Sequence, residues 1–338
     1  MSTSLPAQEG VDVDRLAQLF RDCTQSYKFL FFRGIVARLH KSTCEHMRFD
    51  ELLAEMLVAA WWPAVVGRLA IGNAADNDTL TALLGTIGDA LHEKLAPREV
   101  HELARFWVKR ERSRGCLRYV PDALLSPWKK GAQHPPLYRI LVDGIELYKP
   151  WRNYLVNNLP IVSGWADGAW LGWIQTRNPN VPVSMAKLGP PSKRISLALE
   201  RKFFLTGMSG MPLECIYSEE HVDEGDLSLD HFLPRSFVGH DRIWNLVPVA
   251  RSVNSAKGAR LPQPRYLERL VRVHHVIING VLPTAGSVEK TFLDQYCSDL
   301  RLPPDRLTDA DALLDAYTGL VLPMMAIAQR MGFPAGWP

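Results

Sequence analysis

Apolar positions along this chain recur mainly at helical spacing, and only short stretches switch to the alternation of a strand. Over 13–39 the series Leu16, Leu19, Phe20, Phe29, Phe32, Ile35 and Val36 marks one helix face, with Asp12 or Asp14 near its start. The same period predicts helices over 49–69, 78–91, 97–110, 151–158 and 165–175. Residues 138–148, YRILVDGIELY, set two β-rich runs around Asp143-Gly144, a strong short-range hairpin signal. Breakers gather at 177–182 (RNPNVP) and 189–191 (GPP), which read as a linker. A helix over 192–205 follows, and further helices over 264–277, 287–300 and 309–331 form a C-terminal unit. There is no internal repeat and no low-complexity tract.

The pattern changes over 227–262, LSLDHFLPRSFVGHDRIWNLVPVARSVNSAKGARLP. Leu227 and Leu229 alternate with Ser228 and Asp230, as in a half-buried strand. Pro234 cannot donate to a ladder, so that strand ends before it. Trp244, Leu246 and Val249, interleaved with Asn245 and Val247, read as a returning strand stopped near Pro248. Residues 251–258 suit a two-turn helix with Gly258 as its stop and Pro262 beyond. Asn254 and Lys257, three apart, then share a face. The fold class expected is mainly α, with a short β-hairpin and an embedded β-β-α unit, an α+β arrangement. Three parts are expected: a mostly helical body over 1–191 with its hairpin near 138–148, a lead-in helix and the β-β-α unit over 192–262, and a helical unit over 263–338.

An acid, an imidazole and an amide gathered by a hairpin and a helix can hold one hard metal ion. The same groups can deprotonate a water beside a phosphodiester. The ordered set Asp230-His231, Pro234, Ser236-Phe237, Asp241, Asn245, Asn254 and Lys257 resembles the HNH nuclease motif, the ββα-metal finger, with Asn254 in the last position. The likeness to the HNH domain of RNA-guided CRISPR effector nucleases is close. Each residue alone reads as well as a satisfied surface histidine or a turn asparagine; the order of the whole set carries the inference.

Phosphodiester hydrolysis needs an activated water, in-line geometry, and neutralisation of charge on the phosphoryl oxygens and the leaving 3′ oxygen. Neutral His231 is expected to take the proton of water, since the ordinary imidazole pKa lies near working pH. Asp230 and Asn254 offer the oxygen ligands that Mg²⁺ or Mn²⁺ prefers, and the metal polarises the phosphoryl oxygen. By resemblance, Asn245 holds the histidine loop through its amide. Lys257, Arg251, Arg235 and Arg260 are expected at phosphates. Adjacent residues in a regular strand face opposite sides. Asp230 and His231 can therefore share a site only if the chain leaves strand geometry at His231, a departure the resemblance implies.

Many HNH relatives carry one Cys-x-x-Cys before the first strand and another just ahead of the final His or Asn. Here Cys215-Ile216-Tyr217-Ser218 and Ala250-Arg251-Ser252-Val253 stand at those places, so three of the four thiolate positions are gone. A tetrahedral structural zinc needs four ligands, and none is expected. Cys215 then reads as a small buried residue, with Trp244, Phe232, Phe237 and the flanking helices holding the unit. A hairpin and helix of this size does not fold alone without a metal.

At 338 residues and 47 % hydrophobic, the chain can bury two or three packed units. Its five cysteines (Cys23, Cys44, Cys116, Cys215, Cys297) are odd in number and scattered, which fits a reducing cytoplasm. The start, MSTSLPAQEG, has no apolar signal region. The most apolar run, 56–67, is too short to span a bilayer, so a cytoplasmic protein without membrane association is expected. A net charge of +3 does not mark nucleic-acid binding by itself. Its distribution is more telling: 105–118 holds six basic residues against Glu111, with Arg110, Arg112 and Arg114 the densest cluster and a candidate DNA contact. The acidic stretch 210–226 reads as a solvated loop, and the tryptophans read mostly as core, with Trp128 beside Lys129-Lys130 an alternative base-stacking site.

Ser26-Tyr27-Lys28-Phe29 and 177–182 look like features of bacterial HNH proteins from phage-defence and mobile-element settings, although Tyr27 and Lys28 read better as part of an ordinary amphipathic helix. The expectation is a Mg²⁺-dependent DNA endonuclease of an anti-phage or restriction system, controlled by a regulatory protein partner or a second copy of itself. An RNase, a homing or nicking endonuclease, and a DNA-binding or scaffold subunit that no longer cuts stand as alternatives. There is no Walker loop, dinucleotide turn or nucleophile elbow.

Overall fold

The computed structural model describes residues 5–42, 44–72, 80–82, 84–85, 95, 97–110, 114–129, 131–182, 184–190 and 196–337. The chain splits into two compact units, Met1–Pro179 with Ser184–Pro191 and Asn180–Val183 with Ser192–Pro338. It is mainly α, with two small antiparallel sheets among the described residues.

In the first unit the helix expected over 13–39 is two helices, α1 (Val13–Leu16) and α2 (Tyr27–Lys41). The break holds Asp22, Thr24 and Ser26, residue types of low helix propensity. α2 packs on α3 (Phe49–Trp61) where a Cβ on Gly34 would lie 3.2 Å from the Leu52 carbonyl oxygen, and it buries Phe29 and Phe32 beside Phe20, Trp173 and Trp165. Asp50 and Glu51 in the first turn of α3 suit the positive helix end, and Glu51 accepts the Arg48 N–H at 3.3 Å. α3 stops short of the expected 69 because Pro63 has no N–H to continue the ladder. The chain widens into a π-turn, Trp62–Val66, closed by the Gly67 N–H on the Trp62 carbonyl at 2.8 Å. Most of the helix expected over 78–91 lies outside the described residues.

The helices continue as α4 (Pro97–Arg110), α5 (Val120–Leu124), α6 (Lys149–Asn157) and α7 (Leu159–Arg177). A sheet of order β1-β3-β2 joins β1 (His46–Arg48), β2 (Tyr138–Ile140) and β3 (Gly144–Leu147). Its β2–β3 pair is the expected hairpin, but Gly144 is not its turn. Gly144 opens β3 opposite Arg48, and a Cβ there would lie 2.2 Å from the Met47 carbonyl oxygen. Glycine is needed so that β1 can approach, not for the reversal of the chain.

In the second unit, α8 (Ala198–Gly207) leads to β4 (Leu227–His231), α9 (Arg235–Val238), β5 (Leu246–Ala250) and α10 (Arg251–Lys257). β4 pairs antiparallel with β5 from Leu227↔Ala250 to His231↔Leu246. Two details differ from expectation. Trp244 and Asn245 form a 3-10 turn, Ile243–Asn245, and the strand begins only after it. β5 also runs through Pro248, opposite Leu229; in a two-stranded sheet each strand has an outward edge where the missing N–H breaks no ladder bond.

Three helices complete this unit: α11 (Leu267–Val281), α12 (Ser287–Leu300) and α13 (Ala310–Arg330). α8 crosses α11 at two glycines; a Cβ on Gly280 would meet the Gly207 carbonyl oxygen at 2.1 Å. Asp309 caps α13 by accepting the N–H groups of Asp311 (3.1 Å) and Ala312 (3.0 Å). By length and composition α13 is apolar enough to cross a membrane; here it packs on α11 and buries Leu313, Tyr317 and Val321 fully.

The C-terminal helices also hold the turn before β5. The Tyr317 hydroxyl donates to the Trp244 carbonyl at 3.0 Å. Gln295 Oε1 accepts the Ile243 N–H at 3.0 Å, and Asp299 accepts the Trp244 indole N–H at 2.8 Å. Two helices distant in sequence, α12 and α13, thereby fix the segment that carries Asn245.

Candidate active site

Asp230, on β4, is 2 % exposed and already has partners. The Lys257 ammonium lies 3.0 Å from Oδ2 and 3.3 Å from Oδ1, and the Tyr217 hydroxyl donates to Oδ2 at 3.0 Å. Lys257 comes from the last turn of α10 and also donates to the His231 carbonyl at 2.7 Å. Burial pushes the Asp230 carboxyl up and the Lys257 ammonium down, and each partner opposes that shift in the other. Burial likewise pushes the Tyr217 hydroxyl well above its ordinary value.

Tyr217 stands in a loop folded on its own backbone. The Val222 N–H reaches the Leu213 carbonyl at 2.8 Å, and Cys215 exchanges bonds with Glu220 and Glu219, each 2.9 Å. Cys215 is buried and free. The loop is tied to β4 and α10 by a phenol, a carboxylate and an ammonium. Among the described residues, no three His, Cys, Asp or Glu side chains gather as a metal cluster.

β4 continues one residue further than the resemblance implied. His231 is still paired, with Leu246, and the chain leaves the strand at Phe232, whose N–H bonds the Asn245 carbonyl at 2.8 Å. Asp230 and His231 consequently enter separate networks. The His231 side chain is 16 % exposed, and its Nε2 lies 2.7 Å from Asp241 Oδ1. Arg235, on α9, donates from Nε to the same oxygen at 2.7 Å and from Nη2 to Oδ2 at 3.3 Å. The His231 hydrogen bond first, and then Arg235, hold the Asp241 carboxyl far below the usual carboxylate range against its partial burial.

Asn245 is fully buried and clamps the turn after His231 in both senses. Its Oδ1 accepts the Leu233 N–H at 2.8 Å, and its Nδ2 donates to the Leu233 carbonyl at 2.9 Å. Asn254, half-buried on α10, donates from Nδ2 to Ser228 Oγ at 2.7 Å and to the Leu229 carbonyl at 3.1 Å. Its Oδ1 takes no part in those bonds. α10 therefore lays Asn254 along Ser228-Leu229 and Lys257 along Asp230-His231. The folded chain brings Asp230 to Lys257 and His231 to Asp241.

The basic residues expected at phosphates are largely occupied. Lys257 has a fully buried side chain on Asp230, which removes it from any phosphate in this structure. Arg235 is engaged by Asp241. Arg260 bonds the carbonyls of Lys257 (3.3 Å) and Ala256 and lies over the Trp337 ring at 4.4 Å. Arg251 is exposed, with one bond to the Gly225 carbonyl at 3.1 Å. Arg112 and the side chains of Arg110 and Arg114 lie outside the described residues. Trp128 is buried edge-on against Trp151, with ring centroids 5.5 Å apart, and is part of the core instead of a stacking platform.

One participant was not legible beforehand: Tyr217 sits ten residues before β4 and carries no motif. Asp241 stood in the ordered set, but its pairing with His231 was not expected. His240 beside it accepts the Arg242 N–H at 3.3 Å and is pushed down to about 4 by burial.

No curated protein and no solved structure matches the chain. A family match does appear, beginning at Cys215 where the Tyr217 loop starts and running through β4, β5 and α10. Residues 215–263, the loop, hairpin and helix that assemble these two networks, match the family model described as HNH endonuclease, so this segment is similar to HNH endonucleases.

Proposed function

We propose that the chain is a metal-dependent endonuclease that hydrolyses DNA phosphodiester bonds, with β4, β5 and α10 as its ββα-metal finger. The observation that carries this is His231: a partly exposed imidazole, fixed by Asp241 at Nε2 and by the Asn245 clamp behind it, within the family segment. In this reading His231 takes a proton from the water that attacks phosphorus. Asp230 and Asn254 are hard oxygen donors and would hold Mg²⁺ or Mn²⁺. When bound, the ion supplies Lewis-acid stabilisation of the phosphoryl and leaving oxygens. Asp230 can serve only if Lys257 releases it, while Asn254 keeps Oδ1 out of its own hydrogen bonds. Zinc has no part in this reading. Arg251 is a surface phosphate contact, and the basic segment 105–118, with Arg110, Arg112 and Arg114, is a second.

The setting we propose is the bacterial cytoplasm, as the nuclease component of an anti-phage or restriction system under a regulatory partner. Support is the likeness of 26–29 and 177–182 to such proteins. We read 192–262 as the nuclease part and 263–338 as its brace, supported by the bonds from Tyr317, Gln295 and Asp299 to the Asn245 turn.

The Asp230–Lys257 pair favours a second reading, a finger that binds DNA without cutting it. Nicking of supercoiled plasmid in Mg²⁺, with and without EDTA, separates the two. The expected result is EDTA-sensitive nicking that falls roughly 10²–10⁴-fold in His231→Ala with fold and DNA binding kept. Equal cutting by that variant ends the proposal, and DNA binding without cutting by either protein supports the second reading.

A further inference from the structure

We infer that Asp241 is a positioning residue of this nuclease, holding His231 through Nε2 so that Nδ1 is the nitrogen that receives the proton of water. The inference rests on the reading of His231 as the base, and it moves Arg235 from the nucleic-acid surface into the support of the site.

The geometry leaves the ring little choice. The contact of 2.7 Å between Nε2 and Oδ1 is the length of a charge-assisted hydrogen bond. Arg235 grips the same carboxylate at both oxygens. A carboxylate held between a guanidinium and an imidazole stays ionised and can only accept. The ring proton must then sit on Nε2. A neutral imidazole has one N–H, so Nδ1 carries the bare lone pair.

The two ends of this contact are anchored independently. His231 is paired to Leu246, and its carbonyl is bound by Lys257 at 2.7 Å. Asp241 lies two residues before Ile243, whose N–H is held by Gln295 at 3.0 Å. With both backbones fixed, ring rotation is the remaining freedom of His231, and the Asp241 bond removes it. In the step itself, one O–H bond of water breaks and its proton moves to Nδ1 as the oxygen bonds to phosphorus; the P–O3′ bond breaks, and the leaving 3′ oxygen keeps that electron pair and takes a proton from solvent. The ring becomes an imidazolium with a proton on each nitrogen. The Nε2 proton stays on His231, and Asp241 offsets the new charge without becoming protonated.

The test uses the full chain labelled with ¹⁵N, and needs neither metal nor DNA for its first readout. Long-range ¹H–¹⁵N spectra, with the His231 signal assigned by its loss in His231→Gln, should show the Nε2–H tautomer in the wild type. Asp241→Asn leaves its oxygen to Arg235 and turns an N–H toward the ring, so the Nδ1–H tautomer should appear. Plasmid nicking should fall in kcat by about 10²-fold or more with KM nearly unchanged, and Asp241→Glu should recover part of the loss. A wild-type ring in the Nδ1–H form overturns the inference, as does full kcat in a folded Asp241→Asn. If His231→Ala is inactive while Asp241→Asn keeps its kcat, this inference alone falls. If His231→Ala cuts normally, the nuclease reading fails and takes the inference with it.

Discussion

Replacing Lys257 with Met keeps the unbranched stem and removes the ammonium from a fully buried position. Three contacts disappear: those at 3.0 and 3.3 Å to Asp230 and that at 2.7 Å to the His231 carbonyl. Removing one partner of a buried pair costs about 3–5 kcal/mol, because the other charge is left uncompensated. That is a large share of the roughly 5–15 kcal/mol that holds a domain folded. Asp230 can escape part of the penalty by taking up a proton. Its folded pKa is already raised by burial and must rise further without Lys257.

A raised folded pKa means that the folded state binds the proton more tightly than the unfolded chain. Its stabilising effect is complete below the unfolded value of about 3.9 and is lost as pH rises through the folded one. The gap between variant and wild type should therefore be small in mild acid and widest near pH 8. A divalent ion reaching Asp230 would act oppositely, adding about 2.7 kcal/mol at a hundred times its Kd. Mn²⁺ should raise the variant's midpoint more than that of the wild type, where Lys257 must first be displaced. Urea titrations at two pH values, each with EDTA or Mn²⁺, measure both effects. A penalty below about 1 kcal/mol at pH 8, or one that grows as pH falls, would refute the reasoning. Equal Mn²⁺ increments in the two proteins would show that Lys257 and metal do not compete.

Two further outcomes follow from buried groups. Asn245→Ala leaves the N–H and carbonyl of Leu233 unpaired in the interior, and should cost about 2–5 kcal/mol and loosen the His231 turn, seen as a lower urea midpoint and a fall in nicking rate; an unchanged midpoint would remove Asn245 as the clamp. His274, bonded through Nδ1 to the Tyr296 hydroxyl at 2.6 Å and packed against Phe204 and Tyr317, is pushed down to about 3 by burial. The unfolded chain binds this proton below about pH 6.5 and the folded one does not, so stability rises with pH across the window from 3 to 6.5. Falling from pH 7.5 to 5 should remove about 2 kcal/mol through this residue, and a folded His274→Asn with the same pH slope as the wild type would contradict it.

Local signals served best where one element satisfied itself. α12 begins and ends where periodicity placed it, at 287 and 300, because its apolar face and the Glu289 contact to the Gly286 N–H are all within it. The strand β1 was not legible: three residues with one buried side chain have no measurable period, and its partner β3 lies about a hundred residues away. Asp143-Gly144 marked a hairpin correctly, though the glycine answers to β1, which the local pattern does not contain. Site chemistry was legible as a set of residue types and not as pairs. Asp230 and Lys257 are 27 residues apart, and two charges in sequence look the same whether solvated or buried against each other. Asp241 stands in the motif order, but its pairing with His231 appears only when the α9 turn brings it back.

The tie among Tyr217, Asp230 and Lys257 contains no sulfur, and that has a consequence for the conditions this unit withstands. Fingers closed by thiolates are opened by peroxide and by chelators, since oxidised sulfur no longer binds its metal. Here the nearby thiol, Cys215, is buried and bears no load in the tie. The fastening depends instead on two protons, one kept by the ammonium and one shared by the phenol. Its weakness is a change in proton occupancy, and none of its contacts passes through a sulfur that oxidation would remove.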